Sequence, residues 1–238
     1  MLDIKYIKEC PDEVIARLAK KGKDAKEEIA QIVEKYDLWI ISDEIHCDMA
    51  LFGNRHIPFA SVSEEAAACS ITFGAPSKTF NIAGIVSSYA VVPDDDLRSR
   101  FYSWIEANEM GSAHIFAPIA TIAAFRKGEE WRRQMVEYIE GNIEFIIRFC
   151  KDNIPQVKPL RPQASCLVWP DCRGLDLDHD HLVELFIDKA GLALNDGEMF
   201  NPGGEGFMRL NIGTSRQVLK TAMERLEDAI NSCSDLPR

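Results

Sequence analysis

No stretch of this chain approaches the ~18 uninterrupted apolar residues of a membrane-spanning helix, so no membrane span is expected. The seven cysteines are scattered, and none forms a C-x-x-C pair. Zinc ribbons and disulfide frameworks both depend on regular cysteine spacing, so neither is expected, and no metal site is foreseen. Positive charge is also scarce. The formal net charge of −11 argues against nucleic acid as a partner, because a phosphate backbone repels it. The opening residues, MLDIKYIKECPDE, hold no apolar core and no small-residue cleavage site, so a secretory leader is not expected. A reducing cytoplasm is the expected setting. Internal repeats and low-complexity tracts are missing as well.

What is present suffices for a sizeable core: 238 residues, 46% of them hydrophobic. Val14, Ala16 and Leu18 suggest a short helix within residues 1–23. Ile29, Ile32, Val33 and Tyr36 put an apolar stripe on a helix over 24–36. Leu38, Trp39, Ile40 and Ile41 read as a buried strand that ends at Asp43. Strand-like runs follow at Cys69–Phe73 and Ile85–Val92. Asp94 is a helix N-cap, and Leu97, Phe101, Trp104 and Ile105 form the stripe behind it. A rather apolar helix is expected over Ser112–Lys127. A long one is expected over Glu129–Asp152, with Met135, Ile139, Ile146 and Cys150 in register. Beyond Pro155, short strands (Ala164–Trp169, Leu192–Leu194, Phe207–Asn211) alternate with helices (His179–Ala190, Ser215–Cys233), an α+β texture.

One lysine stands apart. Lys78 lies among small and apolar residues after a turn signal at Gly74 and Pro76, not on a charged helix face. An exposed loop lysine is the ordinary reading of such a residue, whereas a partly desolvated one becomes a nucleophile. Asp43, thirty-five positions earlier, falls at the carboxyl end of a parallel strand, where such sheets present residues to ligands. By itself it would be a turn-capping aspartate.

Three segments, SDEIHCDMAL (42–51), APSKTFNIAG (75–84) and GGEGFMRLNIG (203–213), together resemble fold-type I pyridoxal phosphate (PLP) enzymes of the class I and II aminotransferase superfamily. They look most like its cystathionine β-lyase-like, C–S lyase branch. The resemblance runs from about Asp24 to the C-terminus. It implies an α/β fold: a truncated large, cofactor-binding domain over 1–128, then a long connecting helix and an α+β small domain over 129–238. It implies PLP bonded covalently to Lys78, with Asp43 holding the pyridine nitrogen protonated. His46 occupies the place where aminotransferases commonly carry a tyrosine near the cofactor's phenolic oxygen; a satisfied buried histidine is the competing reading. Ser77 would meet the phosphate. Ala75 stands where relatives often have another serine, and no arginine follows Lys78 closely, so this half of the phosphate site looks thin. Arg209 matches the arginine that grips a substrate's α-carboxylate, a task for a planar fork. Asn195 and the glycines 203, 204 and 206 resemble the segment before that strand. His56, His114, His179 and His181 have no convergent partners in sequence and read as structural or surface.

The resemblance also implies parts that do not occur here: a glycine-containing phosphate loop, an aromatic ring stacked on the cofactor, and an Asn-Pro motif before Asp43. The sole Asn-Pro, Asn201-Pro202, lies in the other half. The implied activity is β-elimination from a small sulfur amino acid. An aminotransferase and a catalytically incompetent fragment are the alternatives. A homodimer is expected, with the apolar segment 108–125 at or near its contact.

Overall fold

The computed structural model describes residues 38–200 and 203–233. The helices expected over 1–23 and 24–36, and Asn201-Pro202, lie outside the described residues. The chain divides into two compact units. One holds the described residues up to Asp48 together with Arg55–Glu129; the other holds Met49–Asn54 with the described residues from Glu130 onward.

The first unit is built on a three-stranded sheet, order β1-β2-β3. Strand β1 (Ile40–Asp43) runs parallel to β2 (Ser70–Gly74), with Ile40 opposite Ser70 and Asp43 opposite Phe73. A short helix, α1 (Glu64–Ala68), lies between them in sequence, and Ser63 caps it by accepting from the Ala66 N–H at 3.1 Å. Helix α2 (Pro76–Thr79) follows β2, with proline at its start, where no N–H is needed. Strand β3 (Tyr89–Val91) returns antiparallel to β2. The expected strand over 85–92 is shorter than its sequence because a tight turn at Ala83–Ile85 leads into Val86 at a positive φ of 48°. That breaks extended backbone, and it is a strained choice for β-branched Val86. Helix α3 (Asp95–Ala107) begins where Asp94 caps it, its Oδ1 accepting from the Leu97 N–H at 2.8 Å. Helix α4 (Ala117–Lys127) starts later than the apolar run suggests.

Burial in this unit departs from the sequence reading. Its core cluster is small: Ile71, Val92 and Leu97, with Phe73, Ala90 and Phe101 packed against it. Trp39 (50% exposed), Ile41 (60%) and Trp104 (57%) are open rather than buried. Apolar sequence shows what a residue prefers, while burial also requires cover from another element.

The second unit carries most of the described core. Helix α5 (Glu129–Asn153) buries Ile139, Asn142, Ile143, Ile146 and Cys150, a spacing of three to four that keeps one face inward. Strands β4 (Lys158–Leu160), β5 (Leu167–Asp171), β6 (Asn195–Asp196) and β7 (Met208–Asn211) form an antiparallel sheet in the order β4-β5-β7-β6. Helix α6 (His179–Glu184) precedes β6 and runs on into a wider π turn at Leu185–Lys189. Helix α7 (Arg216–Ser232) buries Leu219, Met223, Leu226 and Ile230. The strand expected at Leu192–Leu194 is instead formed by Asn195–Asp196, and β4 carries no alternating pattern that would reveal it. Met49–Asn54, which the boundary at 128 assigns to the first part, packs with the second unit, Met49 and Leu51 deep in its core.

Candidate active site

The parallel pair β1 and β2 opens both carboxyl ends toward one sheet edge. At the end of β1, Asp43 is exposed and its Oδ1 accepts the Ile45 N–H at 3.3 Å, an Asx turn that steers the chain out of the strand. Beyond β2, Ala75 and Pro76 are buried and start α2, which presents Ser77 half-buried and Lys78 exposed. The side chain of Tyr89 lies so close to Gly74 that any Cβ there would collide with its ring. A larger residue at the end of β2 would therefore require the Tyr89 ring to move.

Neighbouring side chains fix these two turns. Thr79, fully buried beside Lys78, donates its hydroxyl to Asp48 Oδ2 at 3.2 Å, tying α2 to the turn after β1. Glu44 is buried and saturated: it accepts from Ser42 Oγ at 2.9 Å and from the Phe59 N–H at 2.8 Å, and pairs with His56 Nε2 at 2.8 Å. Burial pushes the Glu44 carboxyl up, but these hydrogen bonds and the histidine together hold it below the usual carboxylate range. Cys47 lies in the same turn as half-buried His46. Burial, with the charges of Asp48 and Glu44, pushes its thiol up to about 11, so it stays protonated and is not a nucleophile.

Asn195 and Arg209 belong to the second unit, where the structure brings them into contact. They face each other across β6 and β7, and Arg209 Nη2 donates to Asn195 Oδ1 at 2.8 Å. The guanidinium lies over the Phe200 ring, 4.4 Å from its centroid. Its Nε is buried without a hydrogen-bond partner.

Several contributors escaped the sequence. Thr79 is adjacent to Lys78, yet its Asp48 partner is remote in sequence. Phe200 reads as a loop aromatic. His179 has partners after all: its Nε2 meets Asp196 Oδ1 at 2.6 Å, and its Nδ1 receives the Gly206 N–H at 3.3 Å. His56 is likewise tied down, by Glu44.

Comparison with known proteins follows from this arrangement. The family description "Aminotransferase class I and II" matches residues 22–226. The cystathionine beta-lyase PatB of Bacillus subtilis (strain 168) is 37% identical over 203 residues, covering 85% of this chain and 52% of the relative. Protein MalY of Escherichia coli (strain K12) is 30% identical over 210 residues, covering 88% and 53%. Among solved structures, cystalysin from Treponema denticola, which contains a pyridoxal 5'-phosphate cofactor, matches with a TM-score of 0.82 at 33% identity, covering 88% of this chain and 53% of its own. The chain thus spans about half the length of the curated relatives it matches. A family match over most of the chain, and a mixed α/β structure like that of fold-type I enzymes, lead to one conclusion: the chain belongs to the class I and II aminotransferase family.

Proposed function

We propose that this chain carries the lysine-bearing part of a PLP-dependent C–S lyase, acting on a small sulfur amino acid by α,β-elimination. The observation that carries this reading is the placement of Lys78 and Asp43, both exposed, beyond the carboxyl ends of two adjacent parallel strands. The donor set fits the cofactor at two of its ends. An accessible amine suits its aldehyde, and an accessible carboxylate suits its pyridine nitrogen. At the phosphate end, Ser77 supplies a hydroxyl.

When bound, PLP supplies a ring that draws electrons from the Cα of the amino acid. The chain's own residues do the rest. Lys78 would hold the cofactor through its aldehyde carbon and, as a free amine, would take the Cα proton. Asp43 keeps the ring nitrogen protonated. His46 borders that turn. Arg209 and Asn195, in the second unit, would take the substrate carboxylate. Loss of the Cβ–S bond would release the thiol, which takes up the proton removed from Cα, and water would hydrolyse the remaining enamine to pyruvate and ammonia. An aminotransferase would use the same residues, with Lys78 returning the proton to the cofactor; the family description favours keeping that second reading.

The chain is further inferred to act as a homodimer. The support is helix α4 and its approach, where Ile115 (75% exposed), Phe116 (62%) and Ile119 (64%) stand open. A reducing compartment such as the cytoplasm suits the six free cysteines among the described residues. No helix among the described residues is long and apolar enough to cross a membrane.

The test is titration of the purified chain with PLP, followed by borohydride reduction, peptide mapping and assay of pyruvate release from cystathionine. A visible absorbance band, a reduced adduct at Lys78 and pyruvate together support the lyase. An adduct with keto-acid exchange but no pyruvate selects the aminotransferase. No adduct at Lys78 overturns both.

A further inference from the structure

His179 is the first residue of α6, and its side chain is 13% exposed. Both ring nitrogens are engaged. The Gly206 N–H donates to Nδ1 at 3.3 Å, so Nδ1 carries no proton. The ring proton then sits on Nε2 and is donated to Asp196 Oδ1 at 2.6 Å. One rigid plate thus offers an acceptor at one end and a donor at the other, which the neutral Nε2–H tautomer of histidine provides.

The two partners matter because of what they adjoin. Asp196 follows Asn195 in β6, and its Oδ1 also accepts the Glu198 N–H at 2.8 Å. Gly206, at φ +76°, enters β7 just before Phe207 and reaches a conformation that other residues rarely adopt. Phe207 accepts the Gly197 N–H through its carbonyl at 3.1 Å and donates its own N–H to Gly204 O at 3.1 Å. His179 therefore joins two backbone segments: Asp196 directly follows Asn195, and Gly206 lies three residues before Arg209. Phe200, under the guanidinium, lies at the end of the turn that starts at Gly197.

His179, Asp196 and Glu198 do bring potential metal-ligand atoms within 4.8 Å of one another. Neither ring nitrogen is available for a cation until one of its hydrogen bonds breaks, so the pattern favours a clamp over a metal ligand.

We propose that His179 is a positioning residue for the Asn195–Arg209 pair, acting as the neutral Nε2–H tautomer that fixes β6 against the entry of β7. This rests on Arg209 as the carboxylate-binding residue. The test uses the full chain, labelled with ¹⁵N, with L-alanine as the probe and the Arg209 Nε resonance as the binding signal. Imidazole ¹⁵N shifts should show a protonated Nε2 and a bare Nδ1 at His179, and the Gly206 amide should exchange slowly. His179→Ala should speed that exchange and weaken L-alanine binding about 10–100-fold, the loss of two hydrogen bonds. His179→Asn, whose carbonyl can reach the Nδ1 position, should retain Gly206 protection. His179→Gln, whose amide can reach the Nε2 position, should instead retain the Asp196 contact. Each should weaken binding only about 2–10-fold. These two variants keep the test decisive if the alanine variant does not fold. An Nδ1–H tautomer, an unprotected Gly206 amide, or unchanged affinity in all His179 variants while Arg209→Lys loses binding would overturn the proposal and leave Arg209 in its role. Binding that survives Arg209→Lys unchanged, or no binding in the unaltered chain, would remove that role and the proposal with it.

Discussion

Asn142 is the place where a single substitution should cost most without touching the proposed chemistry. It sits on the inward face of α5, fully buried. Its Nδ2 donates to Ile212 O and to Thr214 O, each at 3.0 Å, and its Oδ1 accepts from Arg216 Nε at 2.7 Å. One amide thus satisfies the turn that leaves β7 and the first residue of α7. Asn142→Ala removes all of these bonds. Two neutral bonds at about 1 kcal/mol each and one to a guanidinium at about 1.5–3 kcal/mol sum to about 3.5–5 kcal/mol. The better helix propensity of alanine returns about 0.5 kcal/mol. A net loss of about 3–4.5 kcal/mol is a large part of an ordinary domain's stability. In urea, with a slope near ~1.5 kcal/mol/M, the midpoint should fall by roughly 2–3 M with the slope unchanged. Arg216→Met should cost less, because Arg216 keeps only one of the three bonds and its place over the Phe145 ring, 5.0 Å from the centroid. The double variant should be clearly less than additive. A midpoint shift below about 0.5 M, or full additivity, would show that the turn finds other partners and that the network is not shared.

Lys78→Ala should abolish both the visible band and the borohydride-trapped adduct with PLP; a specific adduct elsewhere, mapped by mass spectrometry, would displace Lys78 from its role. Light scattering at micromolar concentration should give a dimer mass, and Ile119→Asp, altering a residue 64% exposed within the chain, should give a monomer that unfolds as before; a monomeric parent chain refutes the association. Glu44, held below the usual carboxylate range, stabilises the fold above its unfolded value of about 4.3, and that contribution is lost as pH falls through the lower folded value. Glu44→Gln should therefore be less stable than the parent at pH 7, with the difference shrinking in acid; a difference constant with pH would refute the assignment.

The sequence was legible where one residue and its local spacing decide the outcome. The Asp94 cap, the stripe of α5 and the strand carrying Arg209 are of this kind. It was less legible where a remote partner decides. Ile41 and Trp104 are apolar and regular in spacing, yet exposed, because no periodicity reports whether a second layer exists. Asn142 shows the converse: it lies in register with Ile139 and Ile146 and would pass for a polar interruption, but its partners lie 70 and more positions away. His179 read as structural or surface, with no partner in view, for the same reason. The motif residues stood out by type and order, whereas the side chains that contact them or their neighbours, Thr79, Asp48 and Phe200, did not.

Met49–Asn54 raises a question of timing during synthesis. Leu51 donates its N–H to Gln163 O at 2.9 Å, Met49 O accepts from the Ser165 N–H at 2.9 Å, and the Phe52 N–H reaches Glu140 Oε1 across 88 positions. At a synthesis rate of about 5–20 residues per second, the Phe52 segment waits roughly 4–18 s before its first partner is even made. During that interval Met49 and Leu51, among the most buried side chains of the finished molecule, remain in water or in the grip of a chaperone. The core of the second unit can close only after this early segment threads back into it, so residues 130–233 made without Met49–Asn54 would lack part of their own core.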